Sequence, residues 1–118
     1  MDQNVAAKKN PLKLNSLQLK TLTLLQELAR SPETSTAIED SDEVRITNFP
    51  YIHGNHFHVG NAVVMPRDAS GLRNENVWKA LERKGLARAF YPVGIILTVD
   101  GLAYDTHLRD RILVSTDH

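Results

Sequence analysis

The chain holds 118 residues, with 14 Lys+Arg against 14 Asp+Glu, 42% hydrophobic residues and no cysteine. That length suits one domain with an ordinary globular core, and the missing cysteine excludes disulfide scaffolds, Cys-ligated zinc or iron–sulfur centres and thiol catalysis. A formal net charge of +0 argues against coating nucleic acid through bulk charge. No apolar run approaches the roughly 20 residues that span a bilayer, and the first residues lack a signal-peptide core, so a soluble cytoplasmic protein is expected.

The zero is a cancellation between blocks. Residues 1–30 carry +3, residues 31–43 carry −5, residues 44–88 carry +4 and residues 89–118 carry −2. The first twelve residues read as a disordered tail. A helix is expected over 16–30, where Leu17, Leu24, Leu25 and Leu28 recur at helical spacing, with Asn15 as cap and Gln18 in the capping-box position. The acidic stretch 31–43 has one large apolar residue, Ile38. It cannot bury enough surface to offset its ordering entropy, so a mobile linker is expected there.

Val44 to His53 and His56 to Met65 read as a β-hairpin, 44–65, around Gly54-Asn55, whose composition suits a type II′ turn. The expected register sets Ile52 opposite Phe57, Pro50 opposite Val59, Ile46 opposite Val63 and Val44 opposite Met65. The other face then carries Phe49, Tyr51, His53, His56 and His58. Asn74 can cap a further helix, 74–84, that Gly85 ends. Two short strands follow around Tyr91-Pro92-Val93-Gly94, and Thr98 caps a last helix running toward Arg109 and Arg111.

From Ala80-Leu81-Glu82-Arg83-Lys84-Gly85-Leu86, through the short hairpin, to Leu97-Thr98-x-x-Gly101, the sequence resembles the C-terminal half of a winged helix-turn-helix domain. The resemblance covers about half the chain. It implies an α+β, winged-helix-like domain over 13–118, with a β-hairpin added between the first helix and the candidate recognition helix. Only Arg67–Leu72 remains for the helix that normally precedes recognition, and the wing turn Tyr91–Gly94 is short and uncharged. The implied function is double-stranded DNA binding by a transcriptional regulator through helix 74–84. There Asn76, Lys79 and Arg83 share one side, flanked by Arg73 and Lys84. Asn and Arg suit base edges, and Lys suits phosphate. The same residues also fit a solvated helix face with a Glu75–Lys79 pair.

A rival reading is a protein-interaction or self-association module using the hairpin, with Phe49, Tyr51 and His58 at the contact. His53, His56 and His58 converge at the hairpin tip and offer a distant third reading as a metal-binding protein, but their spacing matches no known metal motif, so the expectation is no metal and no cofactor. Walker A, G-x-G-x-x-G and G-x-S-x-G patterns are absent from the sequence, and an enzyme is not expected.

Overall fold

The computed structural model describes residues 9–50, 52–53, 56–60 and 62–115, of which 52–53 and 114–115 are described by their backbone alone. Tyr51 and the turn expected at Gly54-Asn55 lie outside the described residues.

Helix α1, Ser16–Leu28, begins at a closed capping box. Asn15 Oδ1 accepts the Gln18 N–H at 2.8 Å, and Gln18 Oε1 accepts the Asn15 N–H at 3.0 Å. Thr21, Leu22, Thr23, Leu24, Leu25 and Leu28 are all buried. A run this continuous exceeds one apolar stripe, so the helix is enclosed on more than one side. Its polar residues meet protein as well. Lys20 Nζ lies 3.0 Å from Asp68 Oδ1, and Thr23 Oγ1 donates to Thr106 Oγ1 at 2.6 Å. Gln26 Nε2 donates to the carbonyls of Gly101 and Tyr104 at 2.9 and 2.7 Å, and Glu27 pairs with Arg109.

After α1 come β1 (Ser35–Ala37), β2 (Val44–Ile46), β3 (Ile52–His53), β4 (His56–Val59) and β5 (Ala62–Val64). Helix α2 (Pro66–Ala69) leads through a 3-10 turn, Ser70–Arg73, into α3 (Glu75–Arg83). The chain closes with β6 (Ala87–Phe90), β7 (Gly94–Leu97), α4 (Val99–Ala103), α5 (Arg109–Ile112) and β8 (Val114–Ser115). Among the described residues this is an α+β fold of five helices and two antiparallel sheets, ordered β1-β2-β7-β6 and β3-β4-β5-β8. Ile46, Ile95 and Leu97 of the first sheet and Val59 and Val64 of the second join one core with the α1 leucines, Trp78 and Leu81. No described helix is long and apolar enough to cross a membrane.

The strands depart from the single hairpin expected over 44–65. At the tip the register is as read, Ile52 opposite Phe57 and His53 opposite His56. Beyond it the chain turns again after Val59 at Gly60, whose φ of +60° favours glycine. Phe57 therefore also faces Val64, and Val59 faces Ala62 rather than Pro50. Strand β2 pairs elsewhere: Ile46 sits between Ser35 and Ile95, and Val44 between Ala37 and Leu97. Two ladders on β2 satisfy more backbone groups than one hairpin partner would, and the alternation that suggested the hairpin suits either pairing.

Three further segments differ from their expected states. The acidic stretch 31–43 supplies β1, and Thr34 Oγ1 and Ser35 Oγ donate to the carbonyls of Leu28 and Ala29 at 2.6 and 3.0 Å. It is held by hydrogen bonds rather than by burial, which composition does not register. Residues 10–12, expected within the tail, are tied to Tyr104, whose hydroxyl donates to Asn10 Oδ1 at 2.6 Å and accepts the Leu12 N–H at 3.1 Å. The last helix is two helices. Tyr104 and Thr106 turn inward to those partners, and His107 takes a φ of +60° between α4 and α5.

Two close approaches lead to opposite outcomes on mutation. A Cβ on Gly101 would lie 1.9 Å from the carbonyl oxygen of Leu86, a backbone atom that no rotamer change can move aside. Gly101→Ala is expected to lower unfolding free energy by about 2 kcal/mol or more in urea denaturation, in the range of overpacking. Thr21 is fully buried against Gly71, and among the described residues its Oγ1 has no hydrogen-bond partner. Thr21→Val removes that unsatisfied hydroxyl and is expected to leave stability unchanged or raise it by about 1 kcal/mol.

Candidate nucleic-acid interface

Both ends of α3 are closed by local chemistry. Asn74 Oδ1 accepts the N–H groups of Asn76 and Val77 at 3.0 and 3.4 Å, as an N-cap side chain does. At the other end Gly85 has φ +78°. Its N–H reaches Glu82 O at 3.0 Å, and the Leu86 N–H reaches Leu81 O at 3.0 Å, the bond pair of a Schellman ending. Thr98 then fastens the next element to this ending: its hydroxyl donates to Gly85 O at 2.7 Å and accepts the Gly101 N–H at 3.1 Å. The Leu97-Thr98-x-x-Gly101 pattern thereby acquires a physical reason. Thr98 caps α4 while bonding the end of α3, and Gly101 allows the two backbones to touch.

The inner side of α3 is set by Trp78, 1% exposed. Its Nε1 donates to Leu72 O at 3.2 Å, and its ring centroid is 5.4 Å from Phe49 and 4.8 Å from Tyr91, the latter edge-on at 81°. Such aromatic pairs contribute about 0.5–1.5 kcal/mol beyond their area burial. The Tyr91 hydroxyl donates to Arg73 O at 2.7 Å. The turn between β6 and β7 is thereby anchored to the residue just ahead of the helix.

With Val77, Trp78, Ala80 and Leu81 facing inward, Asn76, Lys79, Arg83 and Lys84 are exposed on the outer side, and Arg73 is exposed before the helix. The five candidate DNA contacts thus fall on one short segment, 73–84, whose net charge is +2. Lys79 Nζ lies 3.4 Å from Glu75 Oε2 in an i,i+4 pair with both side chains more than half exposed. Such a pair is worth about 0.3–0.5 kcal/mol, so exchanging it for a phosphate costs little. Arg83 and Lys84 make no ion pair among the described residues. From Asn76 to Arg83 the helix rises about 10 Å, which matches roughly three base steps in a major groove about 12 Å wide.

The residues expected at a protein contact are dispersed. Phe49 is half-buried on Trp78 behind α3, Tyr51 lies outside the described residues, and His58 is exposed beside His56 on the second sheet. What the sequence reading missed is the apolar turn after β6, where Phe90 is 56% and Val93 74% exposed. The strand register contains the signal for Phe90, which pairs with Gly94 and so has no side chain opposite it. Arg88, counted in the basic block, is paired with Glu43 of the acidic one. No family model matches the chain, and no curated protein or solved structure is similar enough to be paired with it.

Proposed function

We propose that the chain is a winged-helix-like domain that binds double-stranded DNA as a transcriptional regulator, laying the outer side of α3 in the major groove. The observation that carries this reading is the division of α3: Trp78 and Leu81 are buried inward, while Asn76, Lys79 and Arg83 project outward at i, i+3 and i+7. Asn76 and Arg83 present the donors and acceptors that read base edges, and Lys79 and Lys84, with Arg73, face phosphates. The element order supports the reading. A first helix and strand precede a short helical pair, α2 with the 3-10 turn, then α3, then the β6–β7 hairpin. Strands β3, β4 and β5, a three-stranded meander, are the insertion between the first sheet's strand β2 and α2.

The test is a fluorescence-anisotropy titration of mixed-sequence duplexes against salt. Affinity is expected in the range of about 10⁻⁴–10⁻⁶ M at physiological salt, falling as salt rises, with a log–log slope no steeper than about −2.7 for three phosphate contacts. Lys79→Glu with Arg83→Glu should weaken binding at least tenfold at about 50 mM salt and flatten the slope by about 1, the loss of the Lys79 phosphate contact. Both side chains are exposed, so circular dichroism should be unchanged. Absence of binding by the parent protein at about 50 mM salt overturns the proposal.

One observation favours a second reading, self-association without nucleic acid: Phe90 and Val93 expose apolar surface on the same turn. A flat duplex titration, together with a sedimenting dimer that dissociates on Val93→Asp, would select it.

A further inference from the structure

Strand β4 carries His56 and His58 two residues apart, and the period of a strand puts such residues on the same side. Their Nε2 atoms are 3.1 Å apart, their ring centroids are 4.8 Å apart and the ring planes stand at 79°. A head-on N–H···N hydrogen bond with this nitrogen spacing would put the centroids about 5.4 Å apart. The observed 4.8 Å is shorter, so the two ring axes are not collinear, and axes bent toward each other in front of the nitrogens fit these distances. A ring centroid lies about 1.15 Å behind its nitrogen, so axes that meet do so about 2.1 Å from each Nε2, the length of a zinc–imidazole bond. The angle subtended there is about 95°, between the square-planar and tetrahedral values.

We propose that His56 and His58 form a two-imidazole chelate for a divalent transition metal of the zinc, copper or nickel type. Neutral imidazole is a preferred ligand of these ions, and an i,i+2 pair on a paired strand holds both donors without a loop having to order. His58 is exposed and His56 half-buried, so the pair is reachable from solvent. No group of three His, Cys, Asp or Glu side chains among the described residues is arranged to hold a metal. The proposal takes His56 and His58 as its two ligands, and His53, opposite His56 in the register, is the neighbouring position on the facing strand. This site shares no residue with α3, which is not required for the chelate.

The experiment uses the full chain, stripped with EDTA and titrated separately with ZnCl2 and CuCl2 by calorimetry. One saturable site is expected. His56→Asn and His58→Asn should each weaken it by at least about tenfold, since even an outer-shell partner of a metal ligand is worth that much. His107→Asn, on the connection between α4 and α5, should leave it within twofold. Substoichiometric Cu²⁺ should also broaden the ring resonances of His56 and His58 in the parent protein before those of His107, a readout that needs no variant. Failure to saturate by about 1 mM metal, a concentration at which even weak sites fill, overturns the proposal. So does an unchanged affinity in both His variants, or broadening that does not distinguish the three rings.

Discussion

Leu22, Leu24 and Leu25 are 0% exposed on a single helix, and that enclosure dictates where the other elements can lie. A helix buried on several sides needs neighbours on several sides, and α1 finds them in α2 and the 3-10 turn, α3, α4 and β4. Several of its polar side chains are met by specific groups, Lys20 by Asp68, Thr23 by Thr106, and Gln26 by two carbonyls of the C-terminal segment, with the buried Thr21 hydroxyl as the exception among the described residues. A lost partner in such a position costs more than a formed one contributes. The same bonds that satisfy α1 therefore hold the segment after α4 in place, and α3 is positioned against the result.

The helical parts were readable because their signals are local. The capping box at Asn15, the cap at Asn74 and the stop at Gly85 each depend on a few consecutive residues, and each is where those residues imply. Strand pairing was less legible because alternation says which face is apolar without saying which strand is opposite. Val44 and Ile46 have the same pattern whether they pair with β5 or with β1 and β7. The acidic segment was misread for a different reason. Its Ser and Thr hydroxyls bond the end of α1, and composition counts them only as polar. In the candidate interface, the outer positions Asn76, Lys79 and Arg83 followed from helical period, whereas the support of Trp78 by Phe49 and Tyr91 depends on contacts distant in sequence.

The neutral total charge also has a structural distribution. Lys20, Arg88 and Arg109 are each matched by an acid from a different element, Asp68, Glu43 and Glu27. These pairs join elements. On α3, by contrast, the pair formed by Lys79 and Glu75 lies within one exposed helix face, where screening by solvent and salt is strong. Ionic strength is therefore expected to act on the face of α3 more than on the joints between elements.

The lengths of the outermost strands bear on how copies of this protein behave in a crowded solution. A sheet margin can recruit another chain by offering a row of unpaired amides and carbonyls, and the hazard grows with the length of that row. Among the described residues β1 has three residues, β3 and β8 have two each, and the four-residue margin β6 carries Arg88, engaged with Glu43. Two small sheets thus expose more borders than one large sheet would, yet the described borders are short, which limits the row that each offers to another chain.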